Sequence, residues 1–187
     1  MRLPGLAGPA RVAAVVSALV FVLAGCGIAA STSQRPVTPA PASGGPAATV
    51  SGAVAQTRTA IATALAAESL QLEDATKAYR TAEPPGVAAA PRAVFQALLP
   101  DDPDGGFIVV YEFPDAASAI NAGHELAGYL GTGAGRIQFP IDSQHTIRAL
   151  GTTLIFYTFA PSTSPDPNAP AVARALATLG IGFAPPR

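Results

Sequence analysis

The feature that most limits what this chain can fold into is a short motif, Leu23-Ala24-Gly25-Cys26, which closes an apolar run near the N-terminus. A positively charged start precedes the run, and this order of charged, apolar and small residues is typical of a secretory signal. Cys26 is the only cysteine in the 187 residues. Its place directly after the small residues predicts cleavage and acylation there, so the folded part must come from the remainder of the chain.

An uncleaved membrane span is the alternative for this N-terminal region. Residues 12–30 are broadly apolar and approach the roughly 20 residues that a helix needs to cross a bilayer. The short apolar core before the small-residue site favours cleavage. Both interpretations place the rest of the chain on the extracytoplasmic face of the cell membrane. In the favoured one, an acyl group such as palmitate on Cys26 is the anchor, and the membrane is the first partner.

Composition divides the chain into a signal peptide at residues 1–25, a lipidated N-terminus with a disordered linker at 26–50, and a single domain at 51–187. The linker is rich in Pro, Gly, Ser, Thr and Ala, which is typical of a flexible tether. The formal net charge is −1 and the basic residues are scattered, so no basic field for nucleic acid exists. A disulfide framework is excluded because Cys26 has no partner.

Apolar periodicity predicts three helices and about four to five strands in the domain. The first helix covers residues 51–69, the second begins at the cap Asp115 and stops at Gly131, and the third is capped by Asp166 or Asn168 and stops at Gly180. The predicted strands cover residues 92–99, 107–113, 146–150 and 152–159, with shorter extended or irregular pieces at 71–80 and 136–140.

The strand at residues 107–113 is the clearest, because it is apolar on nearly both sides and therefore central. Residues 154–159 resemble it, and Gly151 marks a hairpin before them. The order helix, three strands, helix, two strands, helix predicts an α+β two-layer sandwich. Its sheet is mostly antiparallel, with about four to five strands and helices packed mainly on one face.

At this level the chain resembles a set of small bacterial lipoproteins of unknown function, which place a lipobox and a proline-rich tether before one α+β domain. The resemblance rests on FIVVYEFPDAA at residues 107–117, GTTLIFYTF at 151–159 and ALATLG at 175–180. These are patterns of strand, cap and helix end. The resemblance implies a fold and a location, and it implies no activity.

Two groups of residues have the composition of a hydrolytic or metal site but not the spacing. His124-Glu125 begins like a zinc-protease helix, but Gly128 stands where the second histidine would be. Asp142, Ser143 and His145 contain the residue types of a catalytic triad, yet neighbours this close on an extended chain cannot easily form the relay. We therefore predict no catalytic residues and no metal site.

Two loops imitate ligand-binding motifs in the same incomplete way. Asp101, Asp102 and Asp104 suggest a calcium loop, but Pro103 and Gly105 offer no side-chain oxygen at the alternate positions. The glycine-rich segment at residues 131–136 looks like a phosphate cradle, although it follows the end of a helix instead of opening one. Turns with solvated side chains are the favoured interpretation, and no cofactor is expected.

Aromatic residues on the two best strands raise one positive hypothesis. If helices cover only one face of the sheet, the other face leaves an apolar patch for a partner or a lipid. The candidate binding face consists of Tyr111, Phe113, Phe156, Tyr157 and Phe159. The alternative is that the first helix or the loops bury that face.

We therefore expect a lipid-anchored extracytoplasmic protein with a small non-catalytic domain that binds or scaffolds an envelope protein or lipid. The alternative is an envelope hydrolase, or an accessory subunit of an envelope enzyme or transporter. A concave site joining His145 or His124 to a carboxylate and a serine would favour this second interpretation.

Overall fold

The computed structural model describes residues 51–186. The predicted signal peptide, the acylation site Cys26 and the linker lie outside the described residues. In chain order the elements are α1 (Gly52–Ala67), β1 (Leu72–Asp74), α2 (Pro85–Ala88), β2 (Arg92–Ala97), β3 (Phe107–Glu112), α3 (Ala116–Gly131), α4 (Gly133–Arg136), β4 (Gln144–Leu150), β5 (Thr153–Phe159), α5 (Ala169–Ala177) and β6 (Ile181–Phe183).

The strands form one antiparallel sheet in the order β1-β2-β3-β5-β4-β6. The predicted α+β class and the antiparallel sheet are confirmed, and β3 and β5 are the two central strands. The described sheet has six strands because β6 adds an edge beyond the predicted four or five. Its three residues pair with β4 through Ala149 and Ile181 at one end and Ile147 and Phe183 at the other.

Helices cover both faces of this sheet, so the expected two-layer arrangement with helices mainly on one face is wrong in that detail. On one face, Ile108 and Tyr157 pack with Ile61 of α1 and Leu176 of α5. On the other, Val109 and Phe156 pack with Leu126 of α3. Alternation along two strands that are apolar on both sides supplies both cores. The domain is therefore a three-layer arrangement with the sheet in the middle.

Side-chain caps begin both long helices, and the predicted cap at Asp115 is confirmed. The Ser51 side chain accepts a hydrogen bond from the backbone N–H of Val54 at 3.1 Å and starts α1. The Asp115 carboxylate accepts one from Ser118 N at 2.7 Å and starts α3, and this bond lowers the pKa of Asp115. Both helices then bury the residues spaced three and four apart that the sequence indicates.

The cap of α5 differs from the prediction. The Asn168 side chain makes no capping bond. Asp166 is buried, with one carboxylate oxygen accepting from Asn168 N at 2.7 Å and the other from Asp101 N at 2.9 Å. Asp166 therefore ties the loop before α5 to the β2–β3 connection.

Two glycines make the turns that the sheet needs. Gly151 has a φ of 58° in the hairpin between β4 and β5, as predicted, and Gly180 has a φ of 44° between α5 and β6. Positive φ values are costly for residues that carry a Cβ atom. A Cβ at Gly180 would also collide with the carbonyl oxygen of Ala149. Gly180 therefore permits the close return that lets β6 join the sheet.

Candidate functional site

The site with the strongest binding geometry is a groove where β4 begins, at the open end of the core that α3 covers. It encloses about 780 Å³. We call it the His145 groove, and its lining residues are Leu130, Arg136, Ile137, Phe139, Pro140, Ile141, Ser143, Gln144, His145, Pro185 and Pro186. Ligand sites are typically concave, mostly apolar and of this size, with few polar groups.

Local structure around α4 builds one wall of the groove. The Thr132 hydroxyl donates to the carbonyl of Tyr129 at 2.6 Å and ends α3, while the same oxygen accepts from Gly135 N at 3.4 Å and starts α4. Gly135 is buried against the last turn of α3, where a Cβ atom would collide with the backbone. The chain thus reverses tightly after α3. The predicted extended piece at residues 136–140 is wrong, because this segment ends α4 and continues as turns.

Two isoleucines at the groove are exposed to solvent. Ile137 is 81% exposed and Ile141 is fully exposed. The described residues contain four exposed large hydrophobic side chains, and these are two of them. Large aliphatic side chains concentrated beside a concave apolar surface are characteristic of a binding site.

His145 forms the inner part of the groove. Its Nδ1 lies 3.0 Å from the hydroxyl of Thr158, its cross-strand neighbour on β5. The ring centroids of Phe139 and Phe156 lie 5.0 Å and 6.0 Å from that of the imidazole. Burial among these groups lowers the pKa of His145, because desolvation disfavours the charged form. The imidazole is therefore neutral at neutral pH.

Arg136 is the charged side chain of the groove. It ends α4, its Nη2 donates to the carbonyl of Pro186 at 3.5 Å, and it forms no salt bridge within residues 51–186. Asp142 forms no salt bridge with it, and the two carboxylate oxygens of Asp142 accept from the backbone N–H and the hydroxyl of Ser162, each at 2.7 Å. The bond from the Ser162 hydroxyl lowers the pKa of Asp142 most, and the bond from its backbone N–H lowers it further.

The same contacts show that Asp142, Ser143 and His145 do not form a catalytic triad. Asp142 bonds to Ser162 and His145 to Thr158, so neither of them engages Ser143. The structure does not assemble a relay from Asp142, Ser143 and His145.

The residues of His124-Glu125 and of the acidic loop at residues 101–104 each contact a different part of the fold. His124 packs edge-on against Phe183 with ring centroids 4.8 Å apart, and Glu125 accepts from Gly86 N at 3.3 Å. Of the acidic loop, Asp102 accepts from Ser164 and Asp104 pairs with Lys77. Over residues 51–186, no three His, Cys, Asp or Glu side chains converge as a metal site would require.

The candidate aromatic binding face is wrong. Tyr111, Phe156, Tyr157 and Phe159 are buried, and Phe113 is half-buried. Alternation sends Tyr157 and Phe159 to the core of α1 and α5, and Tyr111 and Phe156 to the core of α3. Because helices cover both faces, these side chains stabilise the fold and offer no surface to a partner.

A buried polar cluster around Glu83 is a feature that sequence reasoning missed. The Glu83 side chain is 1% exposed, and its Oε1 accepts from the Tyr111 hydroxyl at 2.6 Å, from Arg92 Nη1 at 3.2 Å and from Thr81 Oγ1 at 3.2 Å. Oε2 has no hydrogen-bond partner, and Arg80 Nε lies 4.0 Å away. Glu83 stands in an irregular loop before two prolines, and nothing in that segment signals a partner on β3.

A second cavity, of about 680 Å³, lies at the opposite end of β4. It is bordered by Gly52 and Gln56 of α1 and by Gly151 in the hairpin. Its walls lack aromatic and charged side chains, so it has fewer groups for holding a ligand than the His145 groove. At about 3.3 Å per residue, the chain from His145 to Leu150 separates the two ends by roughly 17 Å. The first turn of α1 is therefore remote from the groove.

The chain matches no protein-family model, no curated protein and no solved structure. In residues 51–186, no helix combines the length and apolar character needed to cross a bilayer.

Proposed function

We propose that this protein is a membrane-anchored extracytoplasmic lipoprotein whose folded domain binds an apolar ligand without catalysis. The observation that carries the proposed binding is the His145 groove, with its apolar walls and its two exposed isoleucines. The anchor rests on the motif that ends at Cys26.

The polar chemistry of the groove favours binding over catalysis. Its histidine is neutral, desolvated and bonded to a threonine hydroxyl. A hydrolase would need a serine and a carboxylate on the two sides of the imidazole, and Ser143 and Asp142 do not take those places. The envelope hydrolase alternative therefore has less support than a ligand-binding module.

The placement of the groove agrees with a tethered binding domain. α1 begins beside the β4–β5 hairpin, at the opposite end of β4 from the groove. A lipid anchor reached through residues 26–50 would join the domain at the end away from the groove.

The anchor is tested by intact mass and membrane partitioning of the native protein beside Cys26→Ala. We expect the native chain to lose its first 25 residues, gain acyl mass and stay with membranes, whereas Cys26→Ala becomes soluble. Retention of the full-length mass in membranes by both forms would instead establish residues 12–30 as an uncleaved span.

Binding is tested with Nile red, a neutral apolar dye that fluoresces on leaving water, added to residues 26–187 with Cys26→Ala, so that the apolar run before residue 26 cannot bind the dye. Replacing both Ile137 and Ile141 by serine should weaken dye binding by about tenfold, because apolar contact area is lost. Ile181→Ser is the matched control, since Ile181 is also exposed but lies outside the groove. Equal effects of the control and the double variant would contradict a ligand site in the groove.

A further inference from the structure

We propose that the occupant of the His145 groove is a single-chain anionic amphiphile, with its apolar chain along the groove wall and its negative head group bound by Arg136. This inference rests on the proposed function, since it names the ligand class of the same groove. The observation behind it is the combination of an apolar wall with one cation that no carboxylate of residues 51–186 pairs with.

The charge comes from Arg136 alone among the groove residues. The other lining side chains are apolar or uncharged polar, and the neutral imidazole of His145 adds no charge at neutral pH. Arg136 forms no salt bridge with the described part of the chain, and the nearest carboxylate partner by sequence, Asp142, is satisfied by Ser162. A guanidinium in this state has donors free for a carboxylate, sulfate or phosphate group.

The net charge of the domain favours a single amphiphile over an anionic bilayer surface as the ligand. All twelve acidic residues of the chain lie beyond residue 50, against eight of its eleven basic residues. Docking on an anionic bilayer needs a cluster of basic residues, which this acidic domain does not provide. One cation beside an apolar groove wall instead matches one amphiphile with one head group.

The apolar wall determines the chain part of the ligand. Leu130, Phe139 and the exposed Ile137 and Ile141 supply aliphatic and aromatic surface along the groove. A volume of about 780 Å³ lies in the range of sites that enclose most of a small ligand. Affinity should therefore rise with chain length until the groove is filled, by about fourfold for each methylene buried.

The test compares decanoate with 1-decanol, which share a chain length and differ in head-group charge. Displacement of Nile red by each compound is measured on residues 26–187 with Cys26→Ala, at pH 7.5 and below micelle-forming concentrations. We expect decanoate to bind about fivefold more tightly than decanol, and Arg136→Gln to remove this difference by weakening decanoate alone. Arg174→Gln is the control, because Arg174 is also an exposed arginine at the end of a helix but pairs with Glu68.

The outcomes separate this inference from the proposed function. If decanol binds as tightly as decanoate, or if Arg136→Gln and Arg174→Gln have the same effect, the anionic class is refuted while an apolar site stands. If neither compound displaces the dye, or if the dye binds independently of the two isoleucines, both the ligand class and the proposed binding function are refuted. Octanoate and dodecanoate add the chain-length dependence, and equal affinities for both would refute an apolar chain in the groove.

Discussion

Replacing Tyr111 by phenylalanine tests whether the buried Glu83 cluster stabilises the fold. Tyr111 is fully buried on the central strand β3, and its hydroxyl donates at 2.6 Å to a carboxylate that is itself 1% exposed. Tyr111→Phe keeps the ring and removes only this donor. After the substitution, Oε1 of Glu83 would keep Arg92 and Thr81 as its donors. Oε2 already lacks a hydrogen bond in the native structure.

The expected cost follows from the charge of the acceptor. Hydrogen bonds to charged groups contribute about 1.5 to 3 kcal/mol, and neutral ones about 1 kcal/mol. Tyr157→Phe is the matched control, since Tyr157 is buried on the neighbouring strand β5 and donates at 3.1 Å to the neutral carbonyl of Ala169. We expect Tyr111→Phe to lower the free energy of unfolding by about 2 to 3 kcal/mol and Tyr157→Phe by about 1 kcal/mol.

Urea unfolding of the Cys26→Ala chain, followed by circular dichroism, measures both changes. The denaturant slope should be unchanged, so that the midpoint reports stability. In a Glu83→Gln background the cost of Tyr111→Phe should fall to about 1 kcal/mol, because the acceptor is then neutral. The reasoning is refuted if Tyr111→Phe costs no more than Tyr157→Phe, or if its cost is the same with Glu83 and with glutamine.

Other parts of the molecule give three further expectations. Burial raises the pKa of Tyr111 and Tyr157, so stability is fully present below about pH 10 and falls by about 1.4 kcal/mol per pH unit for each tyrosine above it. Urea titrations between about pH 9 and 12 should show a flatter loss when both are replaced by phenylalanine, and an equal slope would exclude them as the cause. Gly151→Ala should cost about 1 to 2 kcal/mol for its positive φ, and Gly180→Ala more, because its Cβ also meets a backbone oxygen; equal losses in thermal melting temperature would contradict this. Burial lowers the pKa of His145, so its contribution to stability is present above about pH 6.5 and is lost as pH falls through the folded pKa; an NMR titration midpoint at or above 6.5 would overturn this expectation.

Periodicity predicted most elements because most of them bury a regular apolar pattern. The helices α1 and α3, the hairpin at Gly151 and the central position of β3 follow from spacings of two, three and four residues. The layering was predicted incorrectly although its signal was present. Val109 and Phe156 are as apolar as their neighbours Ile108 and Tyr157, and a strand that is apolar on both sides needs cover on both sides.

The groove and the Glu83 cluster depend on contacts between distant segments. His145 lines the groove together with Arg136 of α4 and with the C-terminal tail, whose Pro186 carbonyl accepts from Arg136. Neither contact produces a periodic pattern in the sequence. β6 is too short to be recognised by alternation. Its position depends on Phe183, whose ring packs at Gly123 in α3, where a Cβ atom would collide with it. In the sequence, Tyr111 has the pattern of a core aromatic residue. Its hydrogen bond to Glu83 depends on the position of a distant loop.

The two edges of the sheet affect how copies of this protein behave when they are close together. Molecules held at a surface meet one another at a much higher effective concentration than in solution, and an exposed strand edge can then recruit another chain. Both edge strands have three residues: β1 carries Glu73 and Asp74, and β6 leads into Pro185 and Pro186. Short length, negative charge and proline each oppose strand addition. Dense packing of copies is therefore compatible with each domain keeping a sheet of its own.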